Sequence, residues 1–243
     1  MTDRTPRLNE VLDRIARAAV RAGRPVPGLV AVSKRHDAAA VVEVARQWRE
    51  RCARMDMACT GVAFGENYVR EGAAKRVEVD AALPVPATWH LIGHLQRNKA
   101  REAASAFDWV QSVDRVAIAE ALARHRPAAA GPLQVLVQVN IDADAGKDGC
   151  APGDVDALCD AVAAMPALAL RGLMAIGRAH DDPADARPAL RAMRVLFEGV
   201  QSRHRGVDTL SMGMSDDLEV AIEEGATLVR VGTAIFGARE VIP

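Results

Sequence analysis

Apolar positions recur along the chain with two different periods. Between residues 5 and 22, Leu8, Val11, Leu12, Ile15 and Ala19 fall at helical spacing with arginines opposite, which predicts an amphipathic helix. Thr5-Pro6 reads as an N-cap followed by proline at the first helical position. Further on the apolar residues gather into eight short β-like runs: 28–33 (GLVAVS), 60–65 (TGVAFG), 88–93 (TWHLIG), 108–113 (DWVQSV), 133–140 (LQVLVQVN), 168–176 (LALRGLMAI), 208–213 (DTLSMG) and 227–232 (TLVRVG). Helical candidates lie between them at 37–51, 67–78, 95–105, 115–126, 152–165, 184–204 and 216–224.

Strand and helix in strict alternation imply a parallel sheet, because each parallel connection needs a crossover. Eight repeats in 243 residues suit a closed barrel better than an open doubly wound sheet. The expectation is therefore an α/β chain, a single (β/α)8 TIM barrel preceded by an N-terminal helix, with residues 1–243 as one domain and no composition break to divide it. The stretch 46–59, RQWRERCARMDMAC, reads as the first barrel helix running on as a surface extension. Asp3, Glu10 and Asp13 argue against a membrane-surface role for the opening helix, which is expected to pack on the core.

Composition narrows the partner. Half the residues are hydrophobic, the formal net charge is −1 and opposite charges are interspersed, which leaves no electrostatic footprint for nucleic acid. A small-molecule ligand and a monomer are expected. No run approaches the roughly 20 apolar residues of a membrane span, and no signal peptide is recognisable, so a cytoplasmic protein is expected. The four cysteines form no CxxC pair, and reduced thiols without a role are expected. Arginine carries most of the positive charge; the only lysines are Lys34, Lys75, Lys99 and Lys147.

Lys34 ends the first apolar run. Active sites of such barrels lie at the C-terminal ends of the strands, so its amine belongs at the mouth. There it is either a lysine snorkelling into water or a Schiff-base former, which requires a neutral amine. Barrels also bind phosphate with the loops after strands seven and eight, and here Ser211-Met212-Gly213-Met214-Ser215 and Gly232-Thr233-Ala234-Ile235-Phe236-Gly237 put small and hydroxylic residues at both places. The second loop lacks the Lys-Ser/Thr of a nucleotide P-loop. Arg230, inside the eighth run, needs a partner; it either reaches solvent outside the barrel or bonds a ligand above its floor. His90 and His94 sit in a β-like pattern without an HExxH glutamate, and Asp142, Asp144 and Asp148 miss the calcium-loop positions, so no metal is expected. Gln96-Arg97-Asn98-Lys99-Ala100-Arg101 reads as a solvated helix face.

The motifs AVSK (31–34), FGENYVRE (64–71), WHLIGHLQRNK (89–99), VQSVD (110–114), QVNI with KDGC (138–150), GLMAI (172–176) and LSMGMSDDLEVAIEEGATLVRVGTAIFGAR (210–239) together resemble the YggS/PROSC family of pyridoxal phosphate homeostasis proteins. The resemblance implies a fold like the N-terminal barrel of alanine racemase and pyridoxal 5′-phosphate as cofactor. Carried over, Lys34 would hold the cofactor as a Schiff base. Ser211, Gly232 and Thr233 would bind its phosphate, Arg230 would face the pyridine nitrogen, and Asn67, His90 and Met212 would line the ring pocket. Lys147 would be a second lysine on the same face. Two features depart from the family: the stretch from Lys34 to Phe64 is longer than usual, and DADAGKDG lacks the glutamate often found before its lysine.

Three functions are compatible with these residues: a carrier or regulator of the pyridoxal phosphate pool, with PLP-dependent apoenzymes as recipients; an amino acid racemase; and a Schiff-base lyase of phosphorylated sugars. Racemases of this fold resemble one another in taking a second base, a tyrosine, from a C-terminal β domain. This sequence ends at Pro243 with one tyrosine, Tyr68, and no carboxylate stands out as a partner for a lyase. A carrier without efficient turnover is expected.

Overall fold

The computed structural model describes residues 4–54, 61–178 and 180–237. Its strands are β1 Gly28–Val32, β2 Ala63–Glu66, β3 Thr88–Leu91, β4 Trp109–Val113, β5 Leu133–Gln138, β6 Leu168–Met174, β7 Thr209–Ser211 and β8 Leu228–Val231. Each overlaps one of the eight predicted runs. All pair in parallel with their sequence neighbours, and β8 pairs with β1 from Gly28↔Leu228 to Ala31↔Val231, closing the barrel.

The helices are α1 Thr5–Ala22, α2 Ala38–Arg54, α3 Val69–Ala82, α4 Ala100–Ala106, α5 Val116–His125, α6 Val155–Ala163, α7 Arg187–Arg203, α8 Leu218–Glu223 and α9 Thr233–Phe236. α1 buries Leu8, Val11, Ile15, Ala18 and Ala19 and lies against α2, α8 and α9, with Arg14 forked onto Glu219 of α8 at 2.7 and 2.9 Å. The Thr5 cap is corrected: Arg4 holds that position with helical backbone angles and no side-chain cap bond, and Thr5 is already helical. Arg4 pairs instead with Glu43 of α2 at 2.7 Å, which anchors the chain in a helical start. α2 carries the extension at 46–59 as regular helix as far as Arg54; residues 55–60 lie outside the described residues. No helix among the described residues is long and apolar enough to cross a membrane.

Alternation along the strands sorts the side chains into two cores. Outward-facing Leu29, Phe64, Trp89, Leu91 and Val110 join the main apolar core with Val41, Val79 and Phe107 from the helix side. Full burial of such side chains contributes roughly 1.5–3 kcal/mol each, which fastens the helical layer to the sheet. Inward-facing positions form layers. Gly28, Ala63, Thr88, Trp109, Thr209 and Leu228 border a cavity at the N-terminal ends of the strands. Val32, Ile92, Gln138 and Gly232 border one at the C-terminal ends. Between these layers lie Val30, Gly65, His90, Gln111, Ser211 and Arg230.

Candidate functional site

The cavity at the C-terminal ends of the strands measures about 960 Å³. Lys34 and Asn67, Arg230 on its floor, and Gly232 with Thr233 all border it. Five of the eight residues singled out from the sequence therefore meet at one opening, as strand-end position in a closed barrel requires. Lys34 is part-buried, and among the described residues its ammonium has no hydrogen bond or ion pair. Gly93 admits the turn that carries Asn67: a Cβ there would lie 2.3 Å from the Asn67 carbonyl oxygen, so no other residue allows this approach.

The chain on both sides of Lys34 is clamped. Ser33 is fully buried and its hydroxyl donates to Glu66 Oε1 at 2.6 Å. The Lys75 ammonium, on α3, donates to the same oxygen at 2.7 Å, to the Ser33 carbonyl at 2.8 Å and to Glu71 Oε1 at 3.0 Å. Glu71 also accepts the Arg35 N–H, and Arg35 sits in the left-handed region with φ +63°, a conformation costly for a side-chain-bearing residue. Burial pushes the Glu66 carboxyl above its usual range, against the pull of Lys75 and Ser33. Glu66 Oε2, itself buried, has no hydrogen-bond partner. The sequence reading missed this cluster; its one visible signal was the scarcity of lysine, which marked Lys75.

Below the cavity the inward-facing polar residues form a row. Arg230 is 4 % exposed and donates to Ser211 Oγ at 2.6 Å and to the Ala175 carbonyl at 2.8 Å. Ser211 Oγ donates to Gln111 Oε1 at 2.7 Å, and Gln111 Nε2 lies 2.9 Å from His90 Nδ1. His90 stacks on Trp109 with ring centroids 5.2 Å apart, and that ring also carries the Arg171 guanidinium at 5.3 Å. Burial drives the imidazole pKa down to about 3, so the ring is neutral at pH 7. Burial also lowers the Arg230 guanidinium, to about 10, which leaves it charged at neutral pH. Two of its five N–H donors are engaged by these bonds, so donors remain for a ligand on the floor.

Three placements differ from the sequence reading. His90 borders the cavity at the opposite, N-terminal end of the barrel and not the upper one, its imidazole stacked on Trp109 and bonded to Gln111. Ser211 is fully buried and spends its hydroxyl in the row, not at the mouth. Met212, just past the end of β7, is 1 % exposed and belongs to the main apolar core, facing away from the polar row that holds Ser211. The hydroxyl that does reach the cavity from this segment is Ser215. Gly213, with φ +92° and Ala221 Cβ 2.5 Å from where its own would stand, lets the chain turn there.

The remaining loops complete the rim. His36 stacks on Phe236 at 4.8 Å, joining the turn after β1 to α9. The amides that open α9 have no intrahelical acceptor, and Gly232 packs its Cα against the end of β1, 3.2 Å separating a built Cβ from the Val32 carbonyl oxygen. Gln96 and Lys99 border the cavity as well, so the basic stretch 96–101 is part of the mouth and not only a solvated face. Lys147 is turned aside, its ammonium 3.4 Å from both Asp142 Oδ2 and the Ile176 carbonyl. His94 Nδ1 meets Asp148 Oδ1 at 2.9 Å, with Asp114 at 4.0 Å; Asp114 is paired with Arg115 at 2.7 Å. Cys150 and Cys159 are buried, with thiol pKa values raised to about 11 and about 12 by desolvation, so neither offers a thiolate at neutral pH.

Known proteins share this chain's sequence and shape. The alanine racemase N-terminal domain family matches residues 7–240. A Pseudomonas aeruginosa protein named pyridoxal phosphate homeostasis protein is 47% identical over 234 residues, covering 95% of this chain and 94% of its own length. An Escherichia coli K12 protein of the same name is 42% identical over 242 residues, covering 99% and 98%. The structure of PipY from Synechococcus elongatus, solved with PLP bound, superposes with a TM-score of 0.74 at 34% identity, over 93% of this chain and 100% of that one.

Proposed function

Because the chain belongs to the family of pyridoxal phosphate homeostasis proteins, built on the barrel of the alanine racemase N-terminal domain, we propose that it binds pyridoxal 5′-phosphate in the upper cavity and carries or regulates the pool of that cofactor. The observation that carries the reading is the Lys34 amine, free of partners among the described residues, on the wall of a cavity whose floor is Arg230. When bound, the cofactor would supply an aldehyde and an electron sink, and Lys34 would be the amine that holds it. Gly232, Thr233 and Ser215 offer amide and hydroxyl donors for the phosphate, in the place where barrels commonly hold one. Arg230, on the cavity floor, would face the ring nitrogen, and its charged guanidinium would favour an unprotonated pyridine. Asn67 would line the ring pocket.

The fit is chemical as well as spatial. A charged guanidinium buried without a carboxylate contact is costly, and an electron-rich ring nitrogen accepting one of its unused N–H bonds would offset part of that cost. On this reading residues 1–243 act as one monomeric unit in the cytoplasm, with PLP-dependent apoenzymes as recipients. Pyridoxal lacking the phosphate is expected to bind at least tenfold more weakly than pyridoxal phosphate in a spectroscopic titration, since each hydrogen bond lost to a charged group is worth roughly 1.5–3 kcal/mol. Equal affinity for the two vitamers would refute the phosphate assignment.

One observation favours a second reading, a racemase: Tyr68, 51% exposed, borders the same cavity as Lys34. Racemisation needs bases on both faces of the substrate α-carbon, and an unprotonated ring weakens the electron sink. Incubation with L-alanine in deuterated water is therefore expected to give at most slow α-proton exchange without D-alanine. Turnover at the roughly 1–1000 per second typical of enzymes, lost in both Lys34→Ala and Tyr68→Phe, would establish the racemase instead.

A further inference from the structure

We propose that Gln111 is a positioning residue for the bound cofactor: through Ser211 it fixes the orientation of Arg230 under the ring, using His90 as its anchor. The inference rests on the cofactor reading above and extends it to a residue one layer below the site. Its basis is the direction of the hydrogen bonds. Arg230 has only donors, so Ser211 Oγ must accept from it at 2.6 Å. The single hydroxyl hydrogen is then available to Gln111 Oε1 at 2.7 Å, and the amide turns its Nε2 to His90 Nδ1 at 2.9 Å. The opposite amide orientation would present N–H to Ser211 and strand the hydroxyl hydrogen at a fully buried position, which is costly.

Four residues from β3, β4, β7 and β8 thus make a row with one sense of donation, from the upper cavity down to the lower one. The first link is a charge-assisted hydrogen bond, stronger than a neutral one, so it holds the guanidinium edge in place. His90 carries its proton on Nε2, since Nδ1 accepts. The second Arg230 anchor, the Ala175 carbonyl at 2.8 Å, fixes the other edge of the guanidinium. With both edges held, the group cannot swing away from the ring above it.

The test begins on the protein without cofactor, where nitrogen NMR of the His90 side chain should report a single neutral tautomer protonated at Nε2. Gln111→Met keeps the volume and removes both hydrogen bonds. It should mix the two His90 tautomers, shift the visible band of added pyridoxal phosphate and weaken binding about five- to tenfold, the equivalent of one hydrogen bond. Ser211→Ala cuts the same row with a smaller change and should shift the band in the same direction; if Gln111→Met does not fold, this variant decides alone. Leu122→Ala, at a fully buried position on α5, controls for loss of stability and should leave the band in place. A wild-type band left unmoved by these row variants would overturn the positioning role while sparing the cofactor reading. A wild-type protein that gives no visible band would overturn both, and an Nδ1-protonated His90 would reverse the row and refute the proposal directly.

Discussion

Lys34→Ala is expected to abolish the visible absorption that the protein gains with pyridoxal phosphate, and borohydride reduction of the wild type is expected to fix a pyridoxyl group on Lys34. Four lysines are available, and their surroundings separate them. Lys75 is 6 % exposed and committed to Glu66, Glu71 and the Ser33 carbonyl, so its nitrogen is fully occupied. Lys147 faces Asp142. Lys99 borders the cavity and is the real competitor, yet it sits in the turn after β3, whereas Lys34 follows β1 beside Gly232 and Thr233. Peptide mapping after reduction distinguishes them, and label chiefly on Lys99 would overturn the assignment. Stability should change little, within about 0.5 kcal/mol, because no hydrogen bond or ion pair of Lys34 is lost. The effect is thus confined to chemistry.

The largest expected effect on stability comes from Lys75→Met. It leaves Glu66, 0% exposed, without its cation, and removal of one partner from a buried pair costs about 3–5 kcal/mol. Urea denaturation at pH 7 measures it. The double variant Glu66→Gln with Lys75→Met should recover much of the loss, because a neutral pair no longer strands a charge. The pH dependence has a definite sign. Burial raises the Glu66 carboxyl, and deletion of Lys75 removes the largest influence holding it down. For an acid whose folded pKa lies above its unfolded value, stability is retained below the unfolded pKa and lost as pH rises through the folded one. The defect of Lys75→Met should therefore shrink as the pH is lowered toward the carboxyl range. A defect independent of pH, or one under 1 kcal/mol at pH 7, would show that the cluster is not the clamp inferred. Because the same ammonium holds the Ser33 carbonyl, the variant should also loosen Lys34 and weaken cofactor binding.

These two lysines show what kind of information each level holds. Lys34 was legible because its role follows from order along the chain: an apolar run ends, and in a closed parallel barrel every run ends at the same rim. The same logic located Gly232 and Thr233, Asn67 was named only through the family resemblance, and the alternation of apolar runs with helical segments fixed the number of strands and hence the barrel, since both periods are local properties of the chain. Arg230 was legible as a charge inside a strand, although not which side it faced.

What only the tertiary structure decided is facing and depth. Ser211 ends β7 and Met212 follows it, the first turned into the polar row and the second into the outer apolar core; which of them faces inward is set by the pairing of β7 with β6 and β8. His90 faces inward, yet the stagger of the strands puts it beside Trp109 and Gln111, a layer below the rim. The clamp of Ser33, Glu66 and Lys75 joins residues 33 and 42 positions apart, and no local pattern announces it because a buried charge is tolerable only where its partner arrives from another element. Periodicity is written in the chain; the meeting of distant polar side chains is produced by closure of the barrel, which removes water from them and leaves them only one another to bond.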